Sequence, residues 1–300
     1  MAKKRGSRSD TPAELARRLR VGPGFVLADV RPRSTPGFDG GKVEGRAALA
    51  ATGKRLSELQ ERLFAEARGG GRRSVLLIVQ GLDTSGKGGI VRHVVGSVDP
   101  QGVRHQAFGA PTKEELEHDF LWRVRRALPQ PGEIGVFDRS HYEDVVVVRV
   151  RELVPRTTWQ GRYAEINRFE RCVADAGTTL VKVLLQISPE EQRERLAARL
   201  ERPDKRWKYD PADVEERARW DAYQEAYQAV LDRCSALHAP WYVVPADHKW
   251  YARWAVAQLL LDALEGMDPQ WPSPEYDVAR EQARLAATPA DVDTPDVTAG

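Results

Sequence analysis

The fold is decided by residues 74–89, which read SVLLIVQGLDTSGKGG. The apolar, partly β-branched run at 75–79 is typical of a strand buried on both faces of a parallel sheet. The glycine-rich turn that follows carries Lys87, and residues 90–95 (IVRHVV) can begin a helix. A strand, such a turn and a helix in this order predict a loop that binds phosphate through backbone N–H groups and a lysine. The predicted phosphate ligands in the loop are Gly81, Ser85, Gly86, Lys87, Gly88 and Gly89.

One position of this loop departs from the usual pattern and points to a metal ligand. The residue after the lysine is usually Ser or Thr, whose hydroxyl holds magnesium, but here it is Gly88. Asp83 lies inside the loop, where bound phosphates would repel its carboxylate unless a divalent cation lay between them. We therefore assign Asp83 to Mg²⁺, with Mn²⁺ as the alternative ion. An Asx-turn that stabilises the loop is the structural alternative for Asp83.

A second acid follows another apolar run. Residues 134–144 read IGVFDRSHYED, so Asp138 ends a predicted strand and Arg139 follows it. The carboxyl ends of parallel strands meet at one edge of the sheet, where Asp138 can share the metal with Asp83 and Arg139 can face a phosphate. A surface salt bridge between Asp138 and Arg139 is the alternative.

A basic segment between two predicted helices, residues 200–211 (LERPDKRWKYDP), is interpreted as a mobile lid. Closing its cations over a polyanion would neutralise the transferring phosphate and expel water. A solvated charged loop is the alternative. The basic residues predicted to bind phosphate outside the loop are Arg92, Arg149, Arg199, Lys205, Arg206 and Lys208.

Composition narrows the function classes. The chain has 300 residues, with 41% hydrophobic and 30% charged, which disfavours a disordered or fibrous protein. The formal charge of +2 is too small to indicate a nucleic-acid-binding protein, so any anion site must be local. Only Cys172 and Cys234 occur, which excludes a disulfide framework, and both are expected to be buried.

The sequence gives no sign of a membrane protein. Its aliphatic runs fall far short of the roughly 20 apolar residues that span a bilayer. The basic start, MAKKRGSR, lacks the apolar region of a secretory signal. We therefore expect a cytoplasmic location, no membrane partner and no nucleic-acid partner.

Strands and helices alternate along the chain. Strands are predicted at 74–80, 133–137, 179–187 and 241–244, and capping boxes at Thr112 and Ser188 begin helices. A long polar helix is expected from Asp210 toward Leu237. This alternation predicts an α/β fold with a parallel sheet and helices on both faces. The expected divisions are an N-terminal arm (1–52) with little regular structure, a phosphotransferase domain (53–267) with its lid at about 199–215, and a C-terminal tail (268–300) with one helix at 277–287 and a mobile end.

Taken together, these motifs resemble the second family of polyphosphate kinases. The resemblance is carried by GLDTSGKGG (81–89), DPQG (99–102), EELEHDFLWR (114–123), FDRSHYE (137–143), RWKYDPAD (206–213), WDAY (220–223) and PADHKWY (245–251). It implies a three-layer αβα P-loop kinase fold, similar to thymidylate kinases, with a helical lid. It also implies Mg²⁺-dependent, direct in-line transfer of a phosphoryl group between inorganic polyphosphate and a nucleotide, by a homo-oligomer.

The resemblance also implies roles for single residues. Asp83 and Asp138 would bind the metal, while Lys87 and Arg139 would bind phosphate. The motif at 142–150 (YEDVVVVRV) is similar to the subgroup that accepts both AMP and ADP, giving ADP and ATP, with GMP and GDP as further candidates. That subgroup often carries Asn at the position of Asp138, which leaves nucleotide preference open. Propensity favours a strand at 145–150, whereas the family has a helix, which we expect here.

Two other functions share parts of this pattern. An ATP-dependent kinase of a nucleotide or small metabolite would use the same loop, acid and lid. A non-catalytic module that binds nucleotides or nucleic acid would use the same basic groove. Transfer from polyphosphate without ATP distinguishes the prediction from both.

Overall fold

The computed structural model describes residues 9–288 and contains a five-stranded parallel sheet. The strand order is β2-β3-β1-β4-β5, and because all the strands are parallel, each connection between successive strands returns the chain along the sheet through a segment that contains helices. The strands are β1 (Ser74–Gln80), β2 (Val103–Ala107), β3 (Ile134–Asp138), β4 (Thr178–Gln186) and β5 (Trp241–Pro245).

Helices cover both faces of this sheet. They are α1 (Pro12–Leu19), α2 (Lys42–Arg68), α3 (Lys87–His93), α4 (Lys113–Leu116), α5 (Trp122–Ala127), α6 (Glu143–Val150), α7 (Arg156–Asp175), α8 (Pro189–Glu201), α9 (Ala212–Arg217), α10 (Trp220–Cys234), α11 (Lys249–Met267) and α12 (Val278–Ala286). Alternate residues of β1 face opposite layers: Leu77 packs with α2 and α11, and Leu76 packs with α5, α6, α7 and α10. This is the expected three-layer α/β arrangement.

The region before residue 53 is more ordered than the sequence indicates. Helix α1 begins with a capping box between Thr11 and Glu14, and its Leu15 is fully buried. Tyr251 donates a hydrogen bond from its hydroxyl to the Pro36 carbonyl at 2.8 Å. The expectation of little regular structure in 1–52 is wrong for α1 and for the first part of α2, because apolar contacts with α11 outweigh the local effect of glycine and proline. Residues 1–8 of the predicted arm lie outside the described residues.

Most predicted elements agree with the structure, and four details differ. Residues 145–150 are helical, as expected from the family resemblance, and α12 coincides with the helix predicted at 277–287. The edge strand β2 was not predicted, since its RHQA stretch is mostly polar and exposed. The helix expected from 210 to 237 is broken between α9 and α10.

At Ser188 the hydroxyl accepts from the Glu191 N–H, but Asp247, rather than Glu191, accepts from the Ser188 N–H. Cys234 is buried, but Cys172 is exposed, which corrects that expectation.

Within residues 9–288, none of the helices combines the length and apolar character needed to cross a bilayer. The predicted mobile end of the C-terminal tail begins beyond residue 288 and lies outside the described residues.

Candidate active site

The loop between β1 and α3 depends on glycine at two positions. Gly81 has φ of 148° and Gly86 has φ of 117°, values that side chains with a Cβ rarely adopt. A Cβ on Gly81 would lie 2.7 Å from Ser85 Oγ and 2.8 Å from the Leu185 carbonyl oxygen. The glycines therefore allow the chain to turn closely over the end of β4.

Lys87 lies inside this loop. Its ammonium donates hydrogen bonds to the Gly81 carbonyl at 2.7 Å and the Leu82 carbonyl at 3.3 Å. Burial lowers the pKa of Lys87, while the carboxylates of Asp83 and Asp138 oppose this effect. Both acids therefore act electrostatically on the same buried ammonium.

Asp83 and Arg139 form an ion pair at the mouth of the loop, with Asp83 Oδ1 2.9 Å from Arg139 Nη2. Burial alone would raise the pKa of Asp83, but Lys87 and Arg139 outweigh it and lower that pKa below its usual value. Arg139 has φ of 65°, a left-handed conformation that costs a non-glycine residue about 1–2 kcal/mol. Its N–H donates to the Val79 carbonyl at 3.1 Å, which ties it to β1.

Asp138 occupies the carboxyl end of β3, beside Val79 of β1 and Ala107 of β2. Among residues 9–288, no group of three or more His, Cys, Asp or Glu side chains is arranged to hold a metal ion. Two carboxylates beside a phosphate-binding loop nevertheless fit a hard cation, because Mg²⁺ is commonly held by one or two protein carboxylates, substrate phosphates and water. The donor set at this edge of the sheet is therefore compatible with Mg²⁺.

Glu143 is a third acid at the site, and the FDRSHYE motif that contains it does not by itself indicate a role for it. It begins α6 and lies 3.9 Å from Arg139 Nη1. With its amide oriented to satisfy both neighbours, Gln80 donates to Glu143 Oε1 at 3.0 Å and accepts from Ser140. Burial raises the pKa of Glu143, although Arg139 and Lys87 oppose this. Its only signal in the sequence is its position four residues after Arg139.

Arg195 of α8, also missed, holds the loop from behind. It is 6% exposed, and its Nη1 donates to the carbonyls of Thr84 at 2.8 Å and Ser85 at 2.9 Å. Its Nη2 donates to the carbonyls of Ala246 at 2.6 Å and Asp247 at 2.9 Å. No local pattern reveals this role, because the carbonyls come from segments distant in sequence.

A cleft of about 410 Å³ opens beside Asp83 and Arg139. On its far side, Asp144 lies between two arginines: Arg162 Nη1 at 3.3 Å and Arg123 Nη2 at 3.7 Å. Burial raises the pKa of Asp144, although both arginines oppose this. The cleft is also lined by Asp213 of the lid and by Glu216, Trp220, Tyr223 and Tyr227.

A second basic region lies at the other end of the loop. A Cβ on Gly89 would be 3.4 Å from Arg253 Nη2. Burial lowers the pKa of Arg253, as do the nearby charges of Arg46 and Arg92. Burial and the charges of Arg195 and Arg253 also lower the pKa of Lys249. We call Arg92, Lys249 and Arg253 the basic flank; no ion pair joins them to a carboxylate in the described part of the chain.

The predicted lid residues are only partly brought to the site. Arg199 lies 3.2 Å from Asp213 of the cleft and helps to lower the pKa of Asp83. The other three predicted lid cations make contacts within the lid. Lys205 pairs with Asp204, Arg206 donates to the Leu200 carbonyl, and Lys208 lies over the Trp207 ring.

Arg149 lies outside the cleft lining. Its guanidinium is 5.1 Å from the ring centroid of Trp159, in a separate depression. Its predicted phosphate contact stays a prediction.

The parallel sheet, the phosphate loop and the acids at its carboxyl edge define a phosphotransferase with a P-loop kinase fold. Comparison with known proteins makes this specific. The family model for polyphosphate kinase 2 (PPK2) matches residues 41–272, and the chain belongs to that family.

Its relatives include an AMP/ADP-polyphosphate phosphotransferase of Meiothermus ruber, 49% identical over 251 residues that cover 84% of this chain and 92% of the relative. An ADP-polyphosphate phosphotransferase of Rhodopseudomonas palustris is 43% identical over 231 residues, covering 73% and 78%. The crystal structure of polyphosphate kinase 2 from Arthrobacter aurescens TC1 superposes with a TM-score of 0.90 at 53% identity, covering 94% of this chain and 98% of that one.

Proposed function

We propose that this enzyme transfers a phosphoryl group between inorganic polyphosphate and AMP or ADP in a direct, metal-dependent reaction. The observation that carries the proposal is the Asp83–Arg139 pair, 2.9 Å apart, beside the buried Lys87 ammonium. It stands between two regions able to hold anions: the cleft on one side and the basic flank on the other. Polyphosphate and the nucleotide repel each other, so cations between their binding regions are needed to bring the attacking oxygen in line with the bond that breaks.

The basic flank is the proposed seat of the polyphosphate chain. Burial and the charge of Arg92 lower the pKa of Arg253, and burial and the charge of Arg253 lower the pKa of Lys249, so these cations lie close to one another. A polyanion bound here would offset the repulsion among these like charges, and their attraction would strengthen its binding. Gly89 and Gly88 lie next to this region and leave room for phosphate oxygens near the backbone.

The cleft is the proposed nucleotide seat. Its volume of about 410 Å³ is in the range of small-molecule sites. Arg123 and Arg162 are placed to bind a nucleotide phosphate, and Trp220, Tyr223 and Tyr227 offer apolar surface to the nucleoside. The nucleotide's phosphate would then face Arg139.

Transfer at this site requires charge neutralisation rather than a covalent intermediate. Loop N–H groups and Lys87 bind the oxygens of the transferring group, and Arg139 lies where negative charge develops. Asp83 and Asp138 are the proposed Mg²⁺ ligands, with Mn²⁺ as a substitute. A cation held by these two carboxylates would supply further charge neutralisation and help to orient the phosphates. Arg199 is the lid cation nearest to this region.

The experiment offers the purified enzyme polyphosphate and Mg²⁺, without ATP, together with AMP, ADP, GMP or GDP. We expect measurable initial rates with AMP and with ADP as acceptors. The products should be nucleotides with one more phosphate, ADP and ATP. Glu58→Gln, an exposed change on α2, is the matched control for Asp83→Asn and should keep the wild-type rate. Transfer from ATP but not from polyphosphate would instead show that the protein is an ATP-dependent kinase. Tight binding of nucleotide or polyphosphate without any transfer would show that it is a non-catalytic binding module.

A homo-oligomer and a cytoplasmic location remain predictions. Light scattering coupled to size-exclusion chromatography tests the first.

A further inference from the structure

Four polar side chains form a hydrogen-bonded network that no solvent reaches: His141, Tyr142, Glu170 and Lys182, each 0% exposed. Lys182 Nζ donates to Glu170 Oε2 at 2.6 Å, to Tyr142 Oη at 2.8 Å and to the Cys234 carbonyl at 2.7 Å. Glu170 Oε1 accepts from the Tyr142 hydroxyl at 2.8 Å and lies 3.2 Å from His141 Nε2. We call this set the buried network.

Stability alone does not account for the buried network. Lys182 lies in β4 between Ile78 of β1 and Trp241 of β5, in an otherwise apolar layer. Burying a carboxylate and an ammonium is costly, and well-packed apolar side chains of similar volume are often at least as stabilising. None of the four residues lines the cleft, so none is placed to contact a substrate.

The buried network is attached directly to the turn that carries the catalytic groups. Asp138, Arg139 and Glu143 face the phosphate loop, whereas the three residues between Arg139 and Glu143 are fully buried. Of these, His141 and Tyr142 belong to the network. The turn holds Arg139 in a left-handed conformation that its neighbours must maintain, since an arginine does not favour it.

We propose that the buried network positions this turn, so that Asp138 and Arg139 are held in register with Lys87. This inference rests on the proposed function of those residues. The Lys182–Glu170 ion pair links α7 to the interior strand β4, and the Tyr142 hydroxyl connects this pair to the turn. Its members are positioning residues, which act through Asp138 and Arg139.

The test separates positioning from stability by removing every polar group of the ion pair and its tyrosine together. In Lys182→Met alone, Glu170 keeps a buried charge without its partner, so both the melting temperature and kcat should fall. In the triple variant Lys182→Met/Glu170→Met/Tyr142→Phe no charge is left uncompensated, although His141 and the Cys234 carbonyl lose a partner, so the melting temperature should lie clearly above that of Lys182→Met.

Positioning predicts that kcat of the triple variant stays about 10- to 100-fold below wild type, because small displacements of catalytic groups are costly. The KM for nucleotide should stay within about twofold, since the cleft is unchanged. A loss of less than about threefold in kcat, or a change in KM alone, overturns the proposal. If the triple variant does not fold, kcat of Tyr142→Phe is measured instead, because this variant keeps the Lys182–Glu170 ion pair. A loss of less than about threefold in its kcat overturns the proposal in the same way.

A buried polar contact on the opposite face is the matched control. Gln258 Nε2 donates to Thr52 Oγ1 at 2.8 Å between α11 and α2, which pack in the other core layer from Tyr142. Gln258→Leu/Thr52→Val should leave kcat within about threefold of wild type, and an equal loss there would overturn a specific role. Absence of transfer from polyphosphate in the wild-type enzyme would refute the proposed function instead, before any variant is compared.

Discussion

Replacing Arg195 by methionine removes the side chain that holds the phosphate loop to α8 and to the end of β5. The guanidinium makes hydrogen bonds to four backbone carbonyls and an ion pair with Glu191 Oε1 at 2.7 Å, and it is 6% exposed. Breaking a buried charged contact by removing one partner costs about 3–5 kcal/mol. For a chain of this size we expect the melting temperature to fall by roughly 6–20 °C, at about 2–4 °C per kcal/mol.

The same substitution should also lower activity. The carbonyls of Thr84 and Ser85 lie in the loop itself, so their release frees the segment between Asp83 and Lys87. Arg195→Lys is the sharper comparison, because lysine keeps the charge but cannot form the planar, forked contacts of arginine. We expect little rescue by lysine.

Thermal unfolding followed by circular dichroism measures the first effect, and initial rates with polyphosphate and ADP measure the second. A methionine variant that melts within about 2 °C of wild type would refute the reasoning, since less than 1 kcal/mol would then have been lost. Full activity of that variant at a temperature where it is folded would show that the loop needs no anchor from α8.

Three further predictions concern the loop and its acids. Asp83→Asn and Asp138→Ala should each lower kcat by on the order of a hundredfold while circular dichroism stays unchanged, because charge stabilisation is lost; near wild-type kinetics would contradict the assignment. Gly81→Ala should abolish transfer, since its Cβ would lie 2.8 Å from the Leu185 carbonyl oxygen, and an active, stable alanine variant would refute the close approach. The pKa of Asp83 is lower in the folded protein than in the unfolded chain, so its ionised form stabilises the fold above the unfolded pKa of about 3.9, and this contribution is lost as pH falls through the folded value. The difference in melting temperature between wild type and Asp83→Asn should therefore shrink below about pH 4, and a difference that grows with acidity would contradict the sign.

The sequence predicts the centre of the fold well because its signals are local. Residues 75–79 are apolar without interruption, and the glycine-rich turn after them lies between a strand and a helix, the context in which such a turn binds phosphate rather than only connecting the two elements. The same run of residues located Asp83 and Lys87. Arg139 was found because it directly follows a strand end, and parallel strands bring such ends together.

The remaining features depend on distant contacts. Polar β2 becomes a strand only because β3 offers it a hydrogen-bonding edge, with Arg104 beside Gly135. Arg195 reaches its carbonyls through the packing of α8 against the loop, which no spacing in the sequence encodes. The buried pair of Lys182 and Glu170 is likewise invisible locally, since an isolated lysine in a strand usually faces solvent.

Binding of Mn²⁺, followed by electron paramagnetic resonance in the presence of tripolyphosphate, tests most directly whether Asp83 and Asp138 share a cation. We predict that Asp83→Asn and Asp138→Asn each weaken the binding of the same Mn²⁺ ion, because each substitution removes one of its carboxylate ligands. Wild-type affinity in either single variant, or two bound Mn²⁺ ions per protomer of which each variant loses a different one, would contradict a shared site.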